Sequence, residues 1–149
     1  SISNTVATEQ FFDTLAVTLP AGTLSNGRRV RVRWYGESTV DSGADTLTIK
    51  VYIGAVAFVT TAAVNTIVGN NFVGEFVFNA PSAAGAAAVC YGWGLYTDPA
   101  ATSFKVASTA AGGQALATNG ALVVRASATW SNTTATNTVV LEAFSVDIL

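Results

Sequence analysis

Histidine is absent from the 149 residues, and that absence removes the Ser-His-Asp and Cys-His nucleophile systems together with every histidine-ligated metal site. Cysteine is almost absent as well. Cys90 stands alone, so no intrachain disulfide scaffold can be built, and with no sequence neighbour to activate it the thiol reads as a small buried hydrophobe. Charge is the third scarcity: Asp, Glu, Lys and Arg make up 11% of the chain, against about 25% in ordinary globular domains. Ala, Thr, Val, Ser and Asn fill the positions left over. With a formal net charge of -2, little repulsion keeps copies apart, and self-association is the expectation.

Residues 51–74 and 76–97 carry no charged side chain, which raises the question of a membrane span. A spanning helix needs about 20 predominantly apolar residues, whereas Asn65, Asn70, Asn71, Asn79 and Pro81 break these stretches with turn-formers. No membrane insertion is expected. The opening Ser1-Ile-Ser-Asn-Thr5 has neither a basic region nor an apolar one, so no signal peptide is read there. Ser1 fits removal of an initiator Met or excision from a larger protein. Asn132-Thr-Thr134 matches the glycosylation sequon by composition in a chain rich in both residues.

What the chain does contain is alternation at period two, with β-branched and aromatic runs separated by turn-formers. A first strand puts Leu15, Val17 and Leu19 on one face and ends at Pro20; Asn26-Gly27 supplies positive φ for a turn. In the second strand Val30, Val32 and Trp34 face the core while Arg29, Arg31, Arg33 and Tyr35 face outward. A loop from Gly36 to Thr46 leads to a third strand with Leu47, Ile49, Val51 and Ile53 inside, closed by Gly54. Further runs lie at 57–61, 72–78, 87–96, 104–107, 122–130 and 139–149, about nine strands in all. In the last, Val139 and Leu141 share one parity and Phe144, Val146 and Ile148 the other, which predicts a β-bulge near Glu142-Ala143. Ala83–Ala88 is too short and too interrupted by Gly85 for a helix, and reads as an approach to a strand.

The chain therefore reads as one all-β domain over residues 1–149, an antiparallel jelly-roll β-sandwich of about eight or nine strands, with 1–9 as an N-terminal arm. An immunoglobulin-like sandwich is the competing topology, and the missing Cys and Trp signature weighs against it.

Few chemistries survive. A glycosidase needs two carboxylates across a cleft, but Glu9, Asp13, Glu75, Glu142 and Asp147 are scattered and read as surface or strand-edge charges. Glu37, Asp41 and Asp45 share a loop and offer oxygens of the kind Ca²⁺ takes, yet an acidic loop with Gly43 in a turn explains them more simply. Neither a catalytic residue, a metal nor a cofactor is expected. Arg29, Arg31 and Arg33 on one strand face form a stripe of the kind that reads phosphates. The acidic balance and the lack of a second basic patch favour pairing with carboxylates instead, with Lys50 expected as a like charge on the neighbouring strand. Trp34 and Trp130 fall on core parity, leaving Trp93, between Gly92 and Gly94, as the aromatic positioned for a ligand, with Tyr96 as its companion. The glycines are expected to expose Trp93 or admit another backbone.

One run carries a resemblance. Thr18-Leu-Pro-Ala-Gly-Thr-Leu-Ser-Asn-Gly-Arg-Arg-Val-Arg-Val-Arg-Trp-Tyr-Gly36 resembles a recurrent pattern of tailed-phage structural proteins: a strand, Pro-Ala-x-Thr-Leu, a Gly turn, alternating Arg and aliphatics, then an aromatic and Gly. Thr46–Gly54 and Asn137–Asp147 are similar to later strands of the same family, in the same order, while Ala55–Gly113 departs from it. The resemblance implies a jelly roll similar to tumour-necrosis-factor-like domains, commonly trimeric, located in the virion after assembly in the host cytoplasm, as a head decoration or a tail- or fibre-associated subunit. It brings no catalytic residues. Expected partners are further copies of the chain, other virion proteins and a host-surface glycan, with no nucleic acid. Arg29, Arg31, Arg33 and Tyr35 become a pairing or assembly face. A carbohydrate- or receptor-binding module built on Trp93 and Tyr96 is the alternative from another functional class.

Overall fold

Val, Ile, Thr and aromatic residues at every second position favour an extended, pleated backbone, and the chain is built almost wholly from it. The computed structural model describes residues 2–3, 8–39, 45–65, 70–99, 103–132 and 137–149. Among them the strands are β1 (Ile2–Ser3), β2 (Gln10–Phe11), β3 (Val17–Leu19), β4 (Arg29–Thr39), β5 (Thr46–Ile53), β6 (Val56–Thr60), β7 (Val64–Asn65), β8 (Asn70–Asn79), β9 (Ala88–Tyr96), β10 (Lys105–Ser108), β11 (Gln114–Leu116), β12 (Leu122–Trp130) and β13 (Thr138–Ile148). A single 3₁₀ turn at Asp13–Leu15 is the only helical element among the described residues.

Two antiparallel sheets pack face to face. Sheet I runs β1-β13-β4-β8-β9-β10, with β11 also on β9; sheet II runs β2-β12-β5-β6, with β3 on β12 and β7 on β5. The pairs β1–β13, β3–β12, β4–β8 and β5–β6 nest one inside the next, so a long antiparallel ribbon has been rolled across two sheets. That nesting is the jelly roll. Between the sixth and seventh strands of the roll, β9, β10 and β11 extend sheet I by an added hairpin.

The inner faces meet where the alternation predicts. Val30, Val32, Trp34, Phe72, Phe76, Phe78, Cys90, Val139 and Leu141 of sheet I oppose Leu47, Ile49, Val51, Ile53, Val59, Val124, Ala126, Ala128 and Trp130 of sheet II, all buried. Each fully buried Val, Leu, Ile or Phe contributes about 1.5–3 kcal/mol relative to exposure. Phe58 joins the layer, stacked on Phe78 and edge-on to Phe76.

Local details follow from residue chemistry. Asn26 and Gly27 take φ of 54° and 80°, the left-handed turn that Asn and Gly tolerate best. The bulge in β13 lies where expected: Leu141 opposes Gly36 and Ala143 opposes Tyr35, leaving Glu142 as the extra residue. Ala83–Ala87 forms no helix and leads into β9, held by Thr118, whose hydroxyl accepts from the Gly85 N–H at 3.1 Å.

Three expectations change. Leu15 does not lie in the first strand, because the Leu15 N–H donates to the Phe12 carbonyl at 3.0 Å and closes the 3₁₀ turn. The expected loop from Gly36 onward is strand to Thr39: Gly36 keeps to the inner face, where the Phe72 ring occupies the space a Cβ would need. Lys50 does not neighbour the arginine row, since β4 and β5 belong to different sheets. As for the N-terminal arm, Ile2–Ser3 pairs with β13 at the edge of sheet I, and residues 1 and 4–7 lie outside the described residues.

Candidate functional site

Strands β4, β8 and β9 are adjacent in sheet I, so their outward residues share one surface. Register sets three rows across it: Arg29–Asn79–Tyr91, Arg31–Val77–Trp93 and Arg33–Glu75–Leu95. β13 adds Asp147 beside Arg31, Ser145 beside Arg33 and Ala143 beside Tyr35, while β10 adds Val106 beside Leu95. The arginine row and Trp93, separate features of the sequence, thus belong to one face.

The two ends of this face differ. At one, Tyr35 opposes Val73 and Leu95 opposes Val106, with Glu75 in register between Arg33 and Leu95; these four apolar residues and Phe104, just before β10, are exposed, from 37% at Val73 to 72% at Val106. At the other, Arg29, Asn79, Glu75, Tyr91, Trp93 and the Thr109–Ala111 segment line a groove of about 730 Å³.

Charge is distributed unevenly along the row. Arg31 donates from Nε and Nη2 to Oδ2 of Asp147 at 3.4 and 3.3 Å, and Arg33 Nη2 reaches the same oxygen at 2.9 Å. One carboxylate therefore serves two guanidinium groups. Arg29 and Glu75 make no ion pair or side-chain hydrogen bond among the described residues.

Trp93 is 62% exposed, but Tyr96 does not join it. They are three positions apart, an odd spacing that places them on opposite faces of β9, and Tyr96 packs partly buried against the core. Burial pushes the Tyr96 phenol up, with the Asp98 charge adding to the effect and Lys105 opposing it. Tyr91, two residues from Trp93, is the aromatic on its side; plain alternation identifies it.

The glycines beside Trp93 act inward rather than outward. A Cβ on Gly92 would lie 2.4 Å from the Phe76 ring, and one on Gly94 2.0 Å from the Glu75 carbonyl oxygen. They let β8 and its aromatics press against β9 from inside, and the tryptophan is left on the far side. Gly74 plays the same part for Trp34, whose ring occupies the position of a Cβ there.

The N-terminal segment pairs with β12 at the edge of sheet II and reaches onto its outer face through Glu9. Glu9 Oε1 accepts from Ser127 Oγ at 2.6 Å and Tyr52 Oη at 2.8 Å, and lies 3.3 Å from Lys50 Nζ. Partial burial disfavours the Glu9 carboxylate, but the bonds from Ser127, Tyr52 and Lys50 outweigh it and hold the carboxyl below its usual range. Burial likewise works against the Lys50 ammonium, and Glu9 and Tyr52 raise it on balance. Arg125 stacks on Phe11, 3.7 Å from the ring centroid. These groups fasten the N-terminal segment to sheet II as a strap.

Of the acidic loop, Glu37 is outward on β4, and Asp45 is buried with its oxygens taken by Asn132 Nδ2 at 3.0 Å and Asn137 Nδ2 at 2.6 Å; Asp41 lies outside the described residues. Among the described residues no cluster of three His, Cys, Asp or Glu side chains is placed to hold a metal. Cys90 is fully buried, and burial pushes its thiol up. No helix among the described residues is long and apolar enough to cross a membrane. Set beside known proteins, the chain matches no family model, no curated protein and no solved structure.

Proposed function

We propose that this chain is a non-enzymatic structural subunit of a tailed-phage virion that self-associates, as a trimer, and attaches to the capsid or tail. The observation that carries the reading is the apolar end of the sheet I face. Tyr35 and Val73 oppose each other, as do Leu95 and Val106, and all four are exposed with Phe104; monomeric proteins rarely leave contiguous apolar patches of more than a few hundred Å² uncovered. A second copy that covers this patch must also bring a partner to Glu75, which stands in register beside Leu95, because an unpaired buried charge costs several kcal/mol.

The resemblance of the 18–36 segment to phage structural proteins supplies the virion context, and the scarcity of charge fits crowding in an assembled particle. Closed rotational symmetry is the usual outcome of self-association, and a trimer joins the patch of one copy to a different surface of the next. The remaining surface, including the loops at the ends of the sandwich, is available to neighbouring virion proteins.

Light scattering behind a sizing column tests the reading. The account expects three chain masses at tens of micromolar and one chain mass for the double variant Leu95→Arg, Val106→Arg. An oligomer that survives those substitutions places its interface elsewhere and overturns the assignment of this face.

A further inference from the structure

We infer that the groove beside Trp93 binds carbohydrate, specifically the neutral pyranose rings of a glycan chain. Its volume of about 730 Å³ falls within the roughly 300–1,000 Å³ of ordinary small-ligand sites. One wall is aromatic. Trp93 and Tyr91 are 62% and 41% exposed and project from the same side of β9, roughly 7 Å apart along the strand.

The other wall is polar and unspent. Arg29 and Asn79 offer donors, Glu75 and Asn79 offer acceptors, and neither Arg29 nor Glu75 has a partner among the described residues. A pyranose ring presents an apolar C–H face bordered by hydroxyls that both donate and accept. Flat aromatic surface opposite mixed planar donors and acceptors is the complement of that pattern.

Other ligand classes fit less well. A nucleic-acid strand needs several uncommitted cations along its phosphates, but Arg31 and Arg33 already share Asp147, and the Glu75 carboxylate repels phosphate. A wholly apolar partner would leave Arg29 and Glu75 desolvated and unpaired. Arg31 also lines the groove but is tied to Asp147, so the uncommitted charges there are Arg29 and Glu75, a balance that favours a neutral sugar over an acidic one.

The site is also pre-formed. Its aromatics stand in mid-strand, with Gly92 and Gly94 allowing Phe76 and the β8 backbone to pack directly behind them. A binding surface on rigid strands loses little freedom when a ligand arrives.

The test is an array of neutral and acidic oligosaccharides, followed by titration of the strongest neutral one. Trp34 and Trp130 are each only 2% exposed, so acrylamide quenching of tryptophan emission reads Trp93. The expected result is retention of a neutral glycan that protects Trp93 from acrylamide. Trp93→Ala and Arg29→Ala should each weaken binding at least tenfold, with thermal midpoint and oligomer mass unchanged. No neutral glycan bound at millimolar concentration, or binding that survives Trp93→Ala, overturns the inference. Binding confined to acidic glycans or to a single-stranded oligonucleotide, lost in Arg29→Ala but not in Trp93→Ala, overturns it too. Oligomer mass is read on the same samples with Leu95 and Val106 intact, which separates this outcome from the fate of the self-association reading.

Discussion

Gly94→Ala probes the packing that turns Trp93 outward. The new Cβ would lie 2.0 Å from the Glu75 carbonyl oxygen and 2.7 Å from the Phe76 Cα. Both are backbone atoms of β8, held by the ladder that pairs Phe76 with Gly94, so neither swings aside as a flexible side chain would. Relief requires β8 and β9 to separate locally. Overpacking a core costs typically 1–3 kcal/mol when side chains can adjust, and a backbone obstacle puts this substitution at the top of that range, about 3 kcal/mol. For a domain of this length each kcal/mol moves the thermal midpoint by about 2–4 °C, giving a fall of about 6–12 °C. Gly85→Ala is the matched control, because a Cβ there meets nothing within 4 Å and the backbone is not left-handed; it should stay within about 0.5 kcal/mol of the parent. Thermal and urea unfolding followed by circular dichroism measure both. If Gly94→Ala melted within about 2 °C of the parent, the inward role given to these glycines would be wrong.

Glu9 is the natural pH test. Its carboxyl is held below the usual 4.5, so the stability it adds is present above that value and is lost as pH falls through its lower folded value. Melting of the parent should therefore drop between pH 5 and pH 3 more steeply than melting of Glu9→Gln, which lacks this group but should also be about 1 kcal/mol less stable at neutral pH. Equal slopes would remove the strap's electrostatic fastening from the account. Asp147→Asn should cost no more than about 1 kcal/mol by urea denaturation, because both its arginine partners are part-exposed and screened. A loss of 3 kcal/mol would mean that this pair is far better shielded than its geometry indicates. Cys90 should react with a thiol reagent only at the rate of unfolding, its sulfur being buried and its thiol raised; fast labelling of the native protein would contradict the packing of β9.

Much of the roll is legible in the residues themselves. Val30, Val32 and Trp34 against Arg29, Arg31 and Arg33 give β4 its two faces by alternation alone, and the parity break between Leu141 and Phe144 locates the bulge at Glu142. What alternation does not carry is which strands are neighbours. Lys50 is the third outward residue of the next long strand, yet β5 crosses to sheet II and delivers it to Glu9. Short strands such as β2 and β11 have too few residues to show a period, and their pairing partners are distant in sequence. The site is legible in part: spacing separates Trp93 from Tyr96 and joins it to Tyr91, but bringing Arg29, Glu75 and Asn79 opposite requires the β4–β8–β9 register. The glycines mislead because a missing Cβ does not say from which side its space is filled. Here Phe76 and the Glu75 backbone fill it from within.

The proposed self-association uses the apolar end of the outer face of sheet I. Its most direct measurement is the mass in solution at tens of micromolar, parent beside Leu95→Arg, Val106→Arg. The expected result is a trimer that falls to a folded monomer in the variant. A parent that is itself a clean monomer at that concentration would contradict it.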